Sequence, residues 1–284
     1  MDFNNKTITI TFGDQAENHV GMQKIGQKAD SGFTIDDLKN AKINFEKAGC
    51  VCELHMLNDN KKLKKYKLVD AAVLVIKNGV DMILKSIGKN ANDMYNEQFK
   101  LNWDTKALMY GRVVNKHARY NLCYSDFAQE PDYANGKGRV VNFNTIPLTK
   151  KIHESLDKYI GNKSNNLAAE GNLYHDLKTC GIGWHGDSER FCVVGVRLGT
   201  STPIYYNWFI DSGPIGDRIS INLDHGDIYI MSEKAVGNDW KSKINPTLRH
   251  SAGADKYTKI EKKPKKVKVV KKPKVKTDKI SDKK

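Results

Sequence analysis

Arginine is scarce in this chain of 284 residues, with seven against 40 lysines, a bias that points to an AT-rich coding sequence rather than to a mechanism. Cysteine is also sparse. The five present (Cys50, Cys52, Cys123, Cys180 and Cys192) are odd in number and form no C-x-x-C pair, which argues against a disulfide scaffold or a cysteine-ligated zinc site and fits a reducing compartment. No apolar run approaches the roughly 18 residues of a membrane span. The opening Met1-Asp-Phe-Asn-Asn lacks the basic and then apolar regions of a secretory leader. The expectation is an intracellular protein, cytoplasmic or nuclear, with no membrane partner.

What the chain has is positive charge, unevenly placed. The formal net charge is +14. Residues Lys262–Lys284 hold twelve lysines against Asp278 and Asp282, so this tail carries +10 and residues 1–261 only +4. The tail is low in complexity, and its prolines and like charges oppose a packed structure, so it is expected to be disordered. Nucleic-acid phosphates would release counterions to it, and a nuclear import receptor can read such a run; a merely solvating tail is the plainer alternative. The chain as a whole has the length and the 39% hydrophobic content for one or two domains with a core large enough for an enzyme.

Hydrophobic periodicity organises that body. Residues 7–13 (Thr-Ile-Thr-Ile-Thr-Phe-Gly) alternate with a period of two and predict a strand. Residues 34–49 open on Thr34, an N-cap followed by two acids, space their apolar residues helically and stop at Gly49, which predicts a helix. Strands over 50–57 and 71–76 and a short helix over 80–86 complete a small α/β unit covering about residues 1–90. Beyond it, apart from a helix near 148–160, the sequence is rich in short strands: 191–197, 204–210, 218–223, 227–231 and 257–260. Spacings near ten residues suggest a β-sandwich or barrel for residues 91–261.

The chemistry concentrates in Gly181-Ile-Gly-Trp-His185-Gly-Asp187-Ser-Glu189-Arg190 and in His250, sixty-five residues after His185. On an extended segment alternate side chains share a face, so His185 and Asp187 can aim at one point while Gly186 turns away. A distant histidine added to that pair makes a facial triad, which leaves three positions of an octahedral metal open, as non-heme Fe(II) oxygenases require. By spacing alone the pair is weak, because roughly 0.4 His-x-Asp pairs are expected by accident under average usage. A second pair, His225-Gly226-Asp227, lies too close before His250 to leave several strands between them and reads as a structural turn.

The segment from Asn172-Leu-Tyr174 to His185-Gly-Asp187-Ser-Glu189 resembles the AlkB-like family of Fe(II)/2-oxoglutarate dioxygenases, and Leu223–Met231 followed by Trp240 resembles that family's approach to its distal metal histidine. The likeness covers about residues 105–260. It implies an α+β protein with a double-stranded β-helix (jelly-roll) catalytic domain, in which His185, Asp187 and His250 bind Fe(II) and Asn172 and Tyr174 hydrogen-bond 2-oxoglutarate. Two features depart from the family pattern. Nine residues separate Trp240 from His250, which implies an insertion, and no arginine follows His250 to pair with the remote carboxylate of the cosubstrate. Lys259, then Lys256, on or beside the return strand 257–260, are the expected substitutes, as point charges without the guanidinium fork. A register that would use Lys243 and Arg249 instead leaves no third metal ligand and is rejected.

The reaction implied consumes O2 and 2-oxoglutarate, yields succinate and CO2, and hydroxylates a substrate C–H; on an N-methyl group the product expels formaldehyde. The expected substrate is a nucleic acid base, in DNA or RNA. Arg190, Arg112 and Tyr124 are the candidate substrate contacts, the last two in a segment mixing cations and aromatics as a lid over a flipped base would. The alternatives are a protein side-chain hydroxylase or demethylase of the same superfamily and a non-catalytic nucleic-acid-binding protein on a degenerate dioxygenase fold.

Overall fold

A computed structural model describes residues 3–59 and 61–260. The lysine-rich segment 262–284, expected to be disordered, lies outside the described residues. In chain order the strands are β1 (Thr7–Gly13), β2 (Gln15–Glu17), β3 (Lys24–Gly26), β4 (Cys52–Met56), β5 (Ala72–Ile76), β6 (Lys106–Met109), β7 (Arg112–Asn115) and β8 (Tyr120–Ser125). They continue as β9 (Val140–Asn142), β10 (Ala168–Tyr174), β11 (Gly181–His185), β12 (Val193–Gly199), β13 (Thr202–Ile210), β14 (Gly213–Leu223), β15 (Ile228–Met231) and β16 (Thr247–Gly253). The helices are α1 (Ile35–Lys47), α2 (Gly79–Leu84), α3 (Ala91–Phe99), α4 (Pro147–Ile160), α5 (Glu233–Val236) and α6 (Asp255–Thr258). Among the described residues no helix is long and apolar enough to cross a membrane.

The chain is mixed α+β and mostly sheet. An eight-stranded mixed sheet runs β4-β5-β15-β12-β1-β10-β8-β9, and a four-stranded sheet runs β11-β16-β13-β14. Alternation fixes what each face of the large sheet meets. Ile8, Ile10, Phe12, Leu74, Ile76, Val194, Val196, Leu198, Ile228 and Ile230 form one core with Leu38, Ala41 and Phe45 of α1 and Ile152, Leu156 and Ile160 of α4. The opposite face contributes Val73, Val75, Val193, Tyr229 and Met231 to a second core, closed by Ile204, Tyr206, Trp208, Ile221, Leu223 and Leu248 of the small sheet. The molecule is therefore a helix layer, a large sheet and a small sheet stacked in that order.

Local chemistry supports these elements. Thr34 caps α1 with a reciprocal capping box: its hydroxyl accepts from the Asp37 amide at 3.1 Å, and its amide donates to the Asp37 carboxylate at 2.8 Å. Pro147 opens α4, where its missing amide hydrogen costs nothing and its φ suits the helix.

Two sequence expectations need correction. Residues 1–90 are not a unit apart, because β1, β4 and β5 are members of the same sheet as β10, β12 and β15. Residues 257–260 are not a strand; α6 covers Asp255–Thr258. A single topological fact underlies both. The later strands pair as a nested set, β13 with β14, β12 with β15 and β11 with β16, and the large sheet has one further seat, between β10 and β12. That seat is filled by β1, antiparallel to both. With both of its neighbours already hydrogen-bonded, the chain after β16 finds no edge there to join.

Candidate metal centre

The site is assembled where β11 ends. His185 is the last residue of β11 and lies directly opposite His250 of β16, just past an irregularity in the pairing after Ile182. The chain then turns through Gly186, where a Cβ would stand 2.1 Å from the carbonyl oxygen of Gly237, so only glycine lets this loop press against that turn. The Asp187 amide donates to the Val236 carbonyl at 3.0 Å, and the Asn238 side chain donates to the carbonyls of Ser188 at 2.9 Å and Arg190 at 3.0 Å. Trp240 Nε1 donates to the Ser188 hydroxyl at 2.9 Å. The loop that carries Asp187 is thus held in place before any ligand arrives.

Donor atoms of His185, Asp187 and His250 lie within 4.8 Å of one another. Each imidazole Nε2 is 3.5 Å from the same Asp187 oxygen, Oδ1. Cis ligands of an ion bound at roughly 2.1 Å would lie roughly 3 Å apart, so a small inward movement would complete the geometry. His185 Nδ1 lies 2.7 Å from the Gly183 carbonyl and 3.1 Å from that of His250. Carbonyls only accept, so Nδ1 carries the proton and the Nε2 lone pair faces the cluster. Burial, and then the neighbouring His250, hold His185 down at about 3, so its imidazole is neutral at physiological pH. Burial alone would raise the Asp187 carboxyl; the Arg190 guanidinium and both imidazoles overcome it and hold the group well below the usual carboxylate range. Two imidazoles and one carboxylate are the donor set that a divalent transition metal takes.

Around the triad lies a cavity of about 70 Å³ between the two sheets, lined by Thr9 and Thr11 of β1, Asn172 and Tyr174 of β10, Arg197 of β12 and Ser251 of β16, among others. By volume it has room for roughly two waters at about 30 Å³ each. Arg197 is 2% exposed, and its Nε and Nη1 have no hydrogen-bond partner. Burial pulls its guanidinium down from the ordinary arginine value, a loss only partly offset by Tyr229, Tyr174 and Asp227. Among the described residues no carboxylate pairs with it. The hydroxyls of Thr9 and Ser251, on the same cavity wall, are likewise buried without a partner. An unpaired buried guanidinium beside unpaired hydroxyls is costly unless an anion completes it.

The other residues singled out in the sequence are dispersed. Asn172 lines the cavity, but its Oδ1 accepts from Arg119 at 2.6 Å and Asn121 at 2.7 Å, and its amide donates to Glu170 at 3.0 Å. Tyr174 lines the cavity and is buried. Arg190 pairs with Glu170 at 2.6 Å and Glu189 at 2.7 Å and stands 3.6 Å from Asp187, so its charge is spent on orienting carboxylates. Lys256 and Lys259 are exposed and do not line the cavity. Arg112 is exposed on β7. Tyr124 is buried on the helix side of the large sheet, donating to Gln98 at 2.6 Å. His225 accepts from the Gly199 amide at 2.9 Å, outside the triad.

Sequence reasoning passed over Arg197, Glu170, Asn238 and the threonines of β1. A signal for Arg197 was present: it is the one charge in Val193-Val-Gly-Val-Arg197-Leu, a strand otherwise buried and uncharged. No protein-family model matches the chain. It is 48% identical over 257 residues to an uncharacterized protein of Acanthamoeba polyphaga mimivirus, a match spanning 89% of this chain and 98% of that one, and it belongs to the same family as that protein.

Proposed function

We propose that this chain is an Fe(II)- and 2-oxoglutarate-dependent dioxygenase that hydroxylates or demethylates nucleic acid bases. Its jelly roll would be of the nested kind described above, with the first strand in the seat of the last. The observation that carries the reading is one cavity shared by a two-histidine, one-carboxylate triad and an unpaired buried arginine. Fe(II) held by His185, Asp187 and His250, with a 2-oxo acid bound, would supply the oxidant that O2 forms for substrate hydroxylation.

The remaining work falls to the protein's own groups. Arg197, rather than Lys259 or Lys256, takes the remote carboxylate of the cosubstrate, with the Thr9 and Ser251 hydroxyls as further donors; its planar fork suits a carboxylate better than an ammonium would. Arg190 keeps Asp187 ionised and aimed. The Gly183 carbonyl fixes the His185 tautomer. Ile182, Val193, Ile204 and Met231 line the same cavity and exclude water. The nucleic-acid part of the reading rests on the family resemblance and on the basic tail.

The test is anaerobic titration of the full chain with Fe(II) and 2-oxoglutarate, then succinate measured after O2 is admitted. The wild type and Lys259→Ala release succinate; His185→Ala does not, and Arg197→Met needs far more 2-oxoglutarate. If the wild type binds no iron, the enzyme reading falls and a non-catalytic binding protein on this fold takes its place.

A further inference from the structure

The hairpin of β6 and β7 presents an exposed aromatic, Tyr110, and two exposed cations, Lys106 and Arg112. Its turn is two residues long, Tyr110 and Gly111, both in the left-handed region at φ of 49° and 74°. Such turns favour Asn-Gly, because a bulky side chain at the first position is disfavoured there. Tyr110 occupies it nonetheless and is 98% exposed, so its ring contributes nothing to the core. An aromatic held in an unfavourable backbone conformation and given wholly to solvent is a candidate contact surface.

The charge around the hairpin has one sign. From Thr105 to Tyr120 there are four cations, Lys106, Arg112, Lys116 and Arg119, and no acid. Lys106 and Arg112 are exposed. Of the acids flanking the segment in the chain, Asp104 is engaged with Asn18 and Tyr133, Asp126 accepts from Ser125, Glu130 pairs with Arg139 and Asp132 accepts from Asn135.

The hairpin is mounted on the candidate site. The Lys116 ammonium at its base donates to Asn18 Oδ1 at 2.6 Å and to Asn121 Oδ1 at 2.9 Å. Asn121 donates to Asn172, which lines the triad cavity, and Asn18 belongs to the loop that walls the 400 Å³ mouth in front of His185 and Asp187. That loop also touches the hairpin's neighbourhood, where the Gln23 amide donates to the Gly136 carbonyl at 2.9 Å, and a Cβ on Gly136 would lie 3.5 Å from Leu108 of β6.

We propose that the β6–β7 hairpin is a docking element for single-stranded nucleic acid, with the Tyr110 ring stacking on a base and Lys106 and Arg112 on the flanking phosphates, so that a neighbouring nucleotide is delivered to the mouth. Bases stack on an exposed aromatic without sequence preference, and phosphates supply the salt-dependent part of affinity. The inference deepens the proposed function and rests on it for the purpose of delivery; the binding surface itself does not need the triad.

The experiment is fluorescence anisotropy of labelled single-stranded DNA and RNA oligonucleotides with the full chain, at several salt concentrations. Thermal melts of each variant check folding. Tyr110→Ala weakens binding about tenfold while Tyr110→Phe retains it, and Arg112→Gln lowers the steepness of the salt dependence. Wild-type affinity in both Tyr110→Ala and Arg112→Gln overturns the proposal and leaves binding to other parts of the chain, as does a wild type that binds neither oligonucleotide. Binding measured without Fe(II) or 2-oxoglutarate separates the two readings. The hairpin surface binds oligonucleotides there, whether or not the wild type turns over 2-oxoglutarate.

Discussion

The space between the two sheets has two halves of opposite character. In one, Val73, Val75, Trp208, Ile221, Leu223 and Leu248 fill the gap with side chains that want nothing but each other. In the other, Thr9, Thr11, Glu170, Asn172, Arg190, Arg197 and the triad line a cavity, and several of their polar atoms have no partner. The same strands feed both: on β12, Val193 packs in the apolar core and borders the cavity, and Arg197, four residues along on the same face, lies in the polar half. One half holds the sheets together, and the other is stocked with groups that cost stability and are useful only to a ligand.

Substitutions in the two halves should therefore move different observables. The largest effect is on metal binding: Asp187→Ala removes the carboxylate that both imidazoles face and lowers Fe(II) affinity more than about 100-fold, since loss of an outer partner of a metal ligand alone costs roughly 10–100-fold. Anaerobic calorimetry with Fe(II) measures it. Next comes the apolar half, where Trp208→Ala costs about 3–5 kcal/mol in a denaturant melt. Its ring is 1% exposed, and its Nε1 donates to the Leu57 carbonyl at 2.8 Å.

Arg197→Met sharpens the contrast. It weakens 2-oxoglutarate binding by roughly two orders of magnitude and raises the stability of the ligand-free protein by about 1 kcal/mol, because an unpaired buried charge is replaced by a methionine. A destabilised Arg197→Met would mean that the cavity is held by its charges as much as its neighbour is by its apolar contacts. A further effect is a pH dependence at the edge of the polar half. Burial pulls the Lys116 ammonium down to about 8, against the opposing pull of Asp104, while the unfolded chain keeps its proton to about 10.4. Between those values the unfolded state binds more protons, so wild-type stability rises with pH through that window. Lys116→Met lacks that rise, as chemical denaturation at pH 7, 9 and 10.5 will show.

What the sequence made legible follows the same division. Apolar periodicity located β1, α1, β5, α4, β12, β15 and the β13–β14 pair of the small sheet, because burial on a known face leaves a period in the residues. His185, Asp187 and His250 were legible through spacing and resemblance, and the structure brings them together. Two things were not. Which strands become neighbours leaves no mark in local pattern, so the N-terminal segment read as its own unit although β1 lies between β10 and β12. The cosubstrate anchor was sought after His250, where a closing strand was expected; with β1 in that seat, the available guanidinium comes from β12.

The position of β1 also sets a timetable. Thr7 is paired with Tyr174 on one side and Gly199 on the other, so a segment made among the first must wait for partners made nearly two hundred residues later. At roughly 5–20 residues per second, that wait is on the order of ten to forty seconds on a translating ribosome. Long-range antiparallel pairing of this kind folds slowly. Until it completes, the alternating Ile8, Ile10 and Phe12 have no core to enter, and the wall that carries Thr9 and Thr11 does not exist. Completion of the cavity around the triad is therefore a late event for a nascent chain, and exposure of that first strand is the interval in which aggregation or chaperone capture competes with folding.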